Sequence, residues 1–189
     1  MRITDDRYAR DRQRFDLALR MIRHEARTCT IRTWTGLSDD RIRKLYRSYV
    51  ASEDPSVKRH RGKAPAQSAF FLRNLEIRRQ TAALAGLFAL LGLLHAAAVD
   101  RRAGATLAAL RWGESFCRVY ETYRALNQAH RITFEHASYL LQVLQRRAEL
   151  RPERCPACEA FTVVDTLRLR SSVCALCESE LRVTAAASG

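Results

Sequence analysis

The sequence predicts a mainly α-helical fold that ends in a small cysteine-rich segment. Through most of the chain, apolar residues recur at steps of three and four, which is the period of amphipathic helices. The 189 residues include only 7 Gly and 4 Pro, too few for the many tight turns of a β-sandwich, while 47% are hydrophobic and can form a core. Four of the six cysteines stand in two close pairs near the C-terminal end, where the helical period stops.

The first helix is predicted over residues 8–27. Its apolar face consists of Phe15, Leu19, Ile22 and Ala26. Because these positions are three or four residues apart, they share one side of a helix and can pack on a core. His24 and Glu25, near the end of the helix, are predicted to be ordinary surface charges.

A helix-turn-helix frame is predicted over residues 28–47. Gly36 can adopt the turn conformation that a Cβ atom would strain. Ser38 then offers a capping hydroxyl, and Asp39 and Asp40 follow in the first turn of the next helix, where backbone N–H groups favour negative charge. These residues predict a tight turn followed by a second helix.

The second helix of this frame should run to about residue 49 and has two distinct faces. The residues expected to pack inward are Ile42, Leu45, Tyr46 and Tyr49. Arg43, Lys44 and Arg47 fall on the opposite face, where they could reach phosphates or guanine edges in a major groove. We predict these three cations as DNA contacts; a solvated basic face on an ordinary helix is the alternative.

Residues 52–67 are predicted to form a basic loop, because Pro55, Gly62 and Pro65 interrupt any regular element. Its cations are Lys58, Arg59, Arg61 and Lys63. They lie close enough in sequence to the helix-turn-helix frame to add contacts to phosphates, which position a protein on DNA without reading sequence.

The net charge of +13 is unevenly distributed along the chain. Residues 1–80 hold 20 basic and 10 acidic side chains, whereas residues 151–189 hold 5 of each. Positive charge concentrated in one half of a chain is typical of a surface that binds a polyanion. A soluble protein rich in arginine, with no nucleic-acid role, is the alternative.

A helical core is predicted between the loop and the cysteine pairs. Its segments are about 68–98, 105–127 and 133–148, the last opened by Thr133. Thr81–Val99 carries His95 as its one ionisable group and meets the length of a transmembrane span. Arginines flank it on both sides, so no charge asymmetry sets an orientation, and the neighbouring helices need a partner for their apolar faces. We therefore expect this segment to form the core or a partner interface, and we expect no membrane association.

The two cysteine pairs form the most specific pattern in the chain. Cys155 and Cys158 are followed, after fifteen intervening residues, by Cys174 and Cys177. Two CxxC turns can present four thiolates in the tetrahedral arrangement that zinc prefers, and the spacing is that of zinc ribbons. Because four protein ligands leave no position for a reactive water, we predict one structural Zn²⁺ ion. Two disulfides or a redox-active pair are the alternatives.

Two short strands are predicted between the cysteine pairs, at Phe161–Val164 and Leu167–Arg170. Arg168 and Arg170 lie on the second of them. We predict that these two side chains also reach DNA.

Nothing in the sequence indicates an enzyme. There is no glycine-rich phosphate loop and no nucleophile elbow, and the five histidines form no catalytic or metal-binding set. Cys29 and Cys117 have no partner motif and are predicted to be buried as small apolar residues. The charged N-terminus lacks the apolar segment of a secretion signal, which predicts a cytoplasmic, reducing location and argues against disulfides.

The predicted organisation has four parts. They are N-terminal helices with the helix-turn-helix-like segment (1–51), the basic loop and helical core (52–152), the four-cysteine zinc ribbon (153–184) and a tail (185–189).

The order of these features resembles a known family. The segment Leu-Ser-Asp-Asp-Arg-Ile-Arg-Lys-Leu-Tyr, residues 37–46, is similar to a pattern of FlhC, the larger subunit of the bacterial flagellar master transcriptional activator. Gly62-Lys63-Ala-Pro65 ahead of Phe70-Phe71 is similar as well. The resemblance extends over roughly residues 10–180, and it depends on the conjunction of these motifs with the cysteine pairs.

The resemblance implies a cytoplasmic, zinc-containing DNA-binding activator of flagellar operons. It implies double-stranded promoter DNA and RNA polymerase as partners, and a heterohexamer with a small helical FlhD-like subunit. By position, the four paired cysteines correspond to the family's zinc ligands. A protein-interaction module with a zinc ribbon, or a paralogous regulator of other genes, remains the alternative.

Overall fold

A computed structural model of the chain describes residues 2–60, 62–94, 107–169 and 173–187. The described residues form seven α-helices and one two-stranded antiparallel sheet, which confirms the predicted, mainly helical fold class. They fall into two compact units. The first combines Met1–Ala64 with Val99–Arg118, and the second combines Pro65–Ala98 with Val119–Gly189. The predicted ribbon segment, 153–184, lies within the second unit.

The first unit is built from helices near the N-terminus and half of a later helix. Its elements are α1 (Arg2–Arg23), α2 (Thr28–Thr35), α3 (Asp39–Leu45), a π-helical turn that continues α3 (Tyr46–Val50) and the first part of a helix over Leu107–Leu126. The first helix therefore begins earlier and ends sooner than predicted. The segment before Gly36 is itself a helix.

The core of the first unit includes the part of α1 that lies beside Gly113 of the helix over Leu107–Leu126. Leu17 and Met21 are fully buried there, whereas Phe15 and Leu19, two residues of the predicted apolar face, are only half-buried. A Cβ atom at Gly113 would lie 2.7 Å from Leu17 Cδ2. The glycine thus leaves room for the Leu17 side chain beside this helix.

The turn between α2 and α3 follows the sequence prediction closely. Gly36 has a φ of +66°, in the left-handed region, and its N–H donates to Arg32 O at 2.8 Å. Ser38 caps α3, since its side chain accepts the N–H of Arg41. Tyr49, predicted to pack inward, is 52% exposed. The π-helical turn has more residues per turn than an α-helix, so it rotates Tyr49 outward and buries Val50 in its place.

The second unit packs helices against the small sheet. After a 3₁₀ turn, Ser68–Leu72, its elements are α4 (Leu75–Leu90), the end of α5 (Leu107–Leu126), α6 (Phe134–Arg146), β1 (Leu150–Arg154), β2 (Phe161–Asp165) and α7 (Ala175–Ala187). Helix α4 packs against β2, α6 and α7. As predicted, Thr133 opens α6, because its side chain accepts the N–H of His136.

The long apolar helix predicted over 68–98 is interrupted at both ends. The Asn74 side chain accepts the N–H of Ile77 at 2.9 Å and starts α4 there, and Gly92, with a φ of +73°, follows its end. Between these points Leu84 and Phe88 are fully buried. His95 lies outside the described residues. Within the described ranges, no helix combines the length and apolar character that a bilayer span needs.

The strands differ from the prediction in one important respect. Phe161–Asp165 is a strand as expected, but it pairs with Leu150–Arg154, and Pro152 lies opposite Val163 in that ladder. The prediction of a second strand at Leu167–Arg170 is wrong. The Asp165 carboxylate accepts the N–H of Leu167 at 2.8 Å, and the carbonyl of Asp165 accepts the N–H of Arg168 at 3.1 Å, so the chain turns away from the sheet.

Candidate metal centre and basic surface

The four paired cysteines are positioned by a turn and by a helix start. Cys155 directly follows β1, its N–H donates to Ala160 O at 2.9 Å, and its carbonyl accepts the N–H of Glu159 at 2.8 Å. These bonds close a tight turn that carries Cys155 and Cys158 together. Cys174 immediately precedes α7, and Cys177 lies in the first turn of that helix.

The side chains of these four cysteines meet, as the sequence predicts. Their Sγ atoms all lie within 4.8 Å of one another, and those of Cys158 and Cys174 are 3.6 Å apart. Four sulfurs about 2.3 Å from a central zinc-sized ion would be separated by about 3.8 Å in a regular tetrahedron. The arrangement therefore fits one metal ion held by Cys155, Cys158, Cys174 and Cys177.

The backbone around the cluster favours thiolate at one position in particular. Burial raises the pKa of the Cys155 thiol, but hydrogen bonds donated by the N–H groups of Cys174, Ala157 and Cys158 outweigh it and bring that pKa down to about 6. The N–H of Cys174 lies 3.2 Å from Cys155 Sγ. Hydrogen bonding with the Cys158 and Cys174 thiols raises the pKa of Cys177 to about 12. Since a metal binds thiolates, its binding would release the protons that these sulfurs share.

The second cysteine pair is anchored to α4 by an arginine that sequence analysis missed. The Arg78 guanidinium forms an ion pair with the Glu178 carboxylate, and its Nη2 donates to Val173 O at 3.2 Å. Val173 and Glu178 flank the Cys174–Cys177 turn. Because the partners are about 100 residues apart in sequence, no local pattern could have indicated this contact.

Glu159 provides a test of the first cysteine turn. Its φ of +58° places a non-glycine residue in the left-handed region, which costs about 1–2 kcal/mol for an L-residue. We expect Glu159→Gly to stabilise the metal-bound protein by about 0.5–1 kcal/mol, since glycine removes this strain at some cost in chain entropy. Urea unfolding of the full chain measures the change.

Glu180→Gly is the matched control for this substitution, because Glu180 lies inside α7 and glycine there should destabilise by about 1 kcal/mol. Equal destabilisation by both changes would contradict the assignment of strain to Glu159.

The cations predicted on the second helix of the frame are all exposed. Arg43 and Lys44 lie on α3, and Arg47 lies on the π-helical turn that continues it. Arg43 pairs with Asp40 at 2.7 Å, which holds its guanidinium at the helix surface. Arg41 is a further exposed cation on α3 that the sequence analysis did not select, and it lies 6.0 Å from the Phe15 ring centroid.

The basic loop lies against the beginning of α2, and its described cations Lys58, Arg59 and Lys63 are exposed. Arg61 lies outside the described residues. The prediction for Glu25 as a simple surface charge on the first helix is wrong. Glu25 is half-buried beyond the end of α1, with a φ of +60°, and it accepts hydrogen bonds from the loop.

The other predicted positions are the arginines after β2 and the two unpaired cysteines. Arg168 is exposed in the turn after β2, and its carbonyl accepts from Arg151 Nη2 at 3.4 Å. Arg170 lies outside the described residues. Cys117 is buried as expected, but Cys29 is exposed, so that prediction is wrong. Cys29 lies in the first turn of α2, on the side that faces away from the core residues Ile31 and Trp34.

The fold and the cysteine cluster define a mainly helical protein with a candidate sulfur-ligated metal centre. No protein-family model matches the chain, and comparison with curated proteins gives no match. The functional interpretation therefore depends on the chemistry of the residues described above.

Proposed function

We propose that this protein is a DNA-binding transcriptional activator. The observation that carries the proposal is the α2–α3 pair: two helices joined at Gly36, with buried Ile42 and Leu45 on one side of α3 and exposed cations on the other. A second helix presented in this way can lie in a major groove, where Arg and Lys side chains contact guanine edges and phosphates. Arg43, Lys44 and Arg47 are the proposed contacts.

The basic loop supports the same proposal. Lys58, Arg59 and Lys63 are exposed on the same compact unit as α3. Phosphate contacts from such a loop would supply affinity and orientation without sequence preference. Arg61, from its sequence position in this loop, is proposed as a fourth contact of the same kind, and Arg168 and Arg170 as contacts from the other unit.

We propose zinc as the metal of the four-cysteine centre. A tetrahedral set of four thiolates is typical of structural zinc sites and also of iron–sulfur sites, and the CxxC…CxxC spacing favours zinc. With four sulfur ligands the ion has no open position, so its role would be to hold β1, β2 and α7 together.

The resemblance to FlhC extends the proposal to partners. It supports a hetero-oligomer with a small FlhD-like helical subunit, action with RNA polymerase, and flagellar operons as targets. Its support is the order of the motifs along the chain, from the Leu37–Tyr46 segment to the cysteine pairs. Co-expression with an FlhD-like subunit, followed by footprinting on flagellar promoters, tests this extension.

A salt titration of binding to duplex DNA tests the central proposal. The logarithm of the association constant should fall linearly with the logarithm of the salt concentration. We expect the double variant Arg43→Ala, Arg47→Ala to weaken binding and to lower the magnitude of that slope by about 2, because each lost phosphate contact lowers it by about 1.

The matched control is Arg12→Ala, Arg124→Ala, which removes the same charge from exposed positions on other helices. It should leave the slope nearly unchanged. Absence of binding at low salt, with and without an FlhD-like subunit, would contradict the proposal, and an equal effect of both double variants would contradict the role of α3.

A further inference from the structure

A carboxylate lies at the point where the basic loop meets the helix-turn-helix pair. Glu25 follows α1, which ends at Arg23, and precedes α2, which begins at Thr28. Glu25 Oε1 accepts the backbone N–H of Lys58 at 3.0 Å, and Glu25 Oε2 lies 2.7 Å from His60 Nε2. Both oxygens of one carboxylate are therefore used to hold the loop.

The flanks of the loop are held by other contacts of the same unit. Arg27 Nη1 donates to Gly62 O at 2.9 Å on one side, and Tyr46 Oη donates to Val57 O at 3.0 Å on the other. Arg59 also connects the loop to the pair, since its Nη2 lies 3.3 Å from Thr28 Oγ1 and its guanidinium lies over the Tyr46 ring at 5.7 Å. Glu25 holds the stretch between these flanks.

The contacts of Glu25 change the pKa of its carboxyl group. Burial raises the pKa of Glu25, but the hydrogen bonds from the Lys58 N–H and from His60, together with the nearby positive charges, lower it overall. The carboxylate is thus charged at neutral pH, beside the exposed cations Lys58 and Arg59 of the loop. By bulk charge alone, removal of Glu25 should strengthen binding to DNA.

We propose that Glu25 is a positioning residue for DNA binding, which holds the basic loop beside α2 and α3 so that cations of both contact one duplex. This inference rests on the proposed function. A loop that is already ordered loses less conformational entropy when it binds. Loss of the carboxylate should therefore weaken binding to DNA. This is the opposite of what the change in net charge alone would cause.

The test compares Glu25→Ala and Glu25→Gln with the wild-type full chain on a random-sequence DNA duplex across a salt series. We expect Glu25→Ala to weaken binding by about tenfold at low salt and to reduce the magnitude of the salt slope by about 1–2, the change expected for loss of one or two phosphate contacts. Glu25→Gln should remain near wild type, because its amide can accept from the Lys58 N–H and can also hydrogen-bond to the His60 ring.

Asp16→Ala is the matched control for charge. Asp16 is an exposed carboxylate on α1 that pairs with Arg12, so its removal adds the same charge without touching the loop. This variant should bind as tightly as wild type or slightly more tightly. Tighter binding by Glu25→Ala, as by Asp16→Ala, would overturn the proposal.

A second comparison separates positioning from a general loss of structure. In a chain that carries Lys58→Ala, Arg59→Ala and Lys63→Ala, the loop has lost its described cations. Glu25→Ala should then cause little further loss of affinity, because the two changes act through the same contacts. A full additional tenfold loss in that background would overturn the proposal.

Amide hydrogen exchange without DNA distinguishes failure of this inference from failure of the proposed function. Exchange at the Lys58 amide should accelerate in Glu25→Ala but not in Glu25→Gln or Asp16→Ala. If the wild type binds no duplex, the proposed function fails even where exchange accelerates as expected. If the wild type binds and neither exchange nor affinity changes in Glu25→Ala, this inference alone fails.

Discussion

Removal of the metal proposed for the four-cysteine centre is expected to unfold α7 and the cysteine turns while α4 and α6 of the second unit remain folded. The expected decrease in the unfolding free energy of this region is on the order of 5 kcal/mol, because metal binding supplies much of the folding free energy of small metal-bound segments. The same result is expected from Cys174→Ser, which removes a buried cysteine of the cluster.

The packing of α7 explains why it should depend on the metal. Leu176, Leu181 and Val183 are 55%, 59% and 68% exposed, so these three apolar side chains bury little surface. A helix of 13 residues is marginal in water without tertiary contacts. The ion pair between Arg78 and Glu178 holds it to α4, and the proposed metal would hold it to the first cysteine turn. By contrast, α4 and α6 bury Phe88 and Leu140 completely, and they should persist.

Metal analysis, far-ultraviolet circular dichroism and amide exchange together measure this result. We expect about one zinc ion per chain, loss of helical signal on chelation, and rapid exchange in α7 while α4 stays protected. Cys29→Ser is the matched control, since Cys29 is an exposed cysteine outside the cluster. Full metal occupancy in Cys174→Ser, Cys177→Ser would contradict the assignment, and iron in place of zinc would correct the identity of the ion.

Gln80→Leu is expected to destabilise the second unit by about 2–4 kcal/mol. Gln80 is 1% exposed, and its Oε1 accepts both the Tyr123 hydroxyl at 2.6 Å and the Arg131 N–H at 2.8 Å. Its Nε2 donates to Glu76 Oε1 at 2.6 Å. Leucine keeps much of the volume but removes the acceptor of the buried Tyr123 hydroxyl and of the part-buried Arg131 N–H. An unpaired buried group costs about 1–3 kcal/mol.

The Tyr123 hydroxyl, which donates to Gln80, offers a second test of this hydrogen-bond network. Tyr123 is fully buried, and burial raises its pKa, so its hydroxyl stays protonated and donates. Tyr123→Phe alone should cost about 0.5–1.5 kcal/mol, because Gln80 keeps its bond from Arg131. In the double variant, Gln80→Leu with Tyr123→Phe, the unpaired hydroxyl is absent. The total cost should therefore be less than the sum of the two single costs.

Urea unfolding of the full chain measures these free energies. Gln128→Leu serves as the control, since Gln128 is exposed in the turn before α6 and should change stability by less than about 0.5 kcal/mol. Strict additivity of the Gln80 and Tyr123 substitutions would contradict a shared hydrogen-bond network.

The features that the sequence predicted correctly depend on nearby residues. Gly36 ends α2, Ser38 caps α3 and Thr133 caps α6, because a cap is a hydrogen bond between residues only a few positions apart. The cysteine pairs were equally recognisable, since the geometry of a CxxC turn lies within four residues. Their meeting in space was predicted from the tetrahedral preference of zinc for four thiolates.

The errors arose where a local pattern competed with another contact. The second predicted strand failed because the Asp165 carboxylate binds the N–H of Leu167 and turns the chain, while Leu150–Arg154 pairs with β2. The helix predicted over 68–98 is too long, because the Asn74 cap starts α4 later than predicted and Gly92 follows its end. The inward orientation predicted for Tyr49 is wrong, because that prediction assumed the period of an α-helix and the residue lies in a π-helical turn.

By itself, the sequence determined the helical class, the caps at Gly36, Ser38 and Thr133, the exposed face of Arg43, Lys44 and Arg47, and the cluster of four cysteines, since each depends on residue type and short spacing. The tertiary structure decided which elements hold the metal centre, through Arg78 and Glu178, and where the basic loop lies, through Glu25. Those contacts join residues that are distant in sequence, and a pattern in the chain carries no information about which distant groups will meet until the helices have packed.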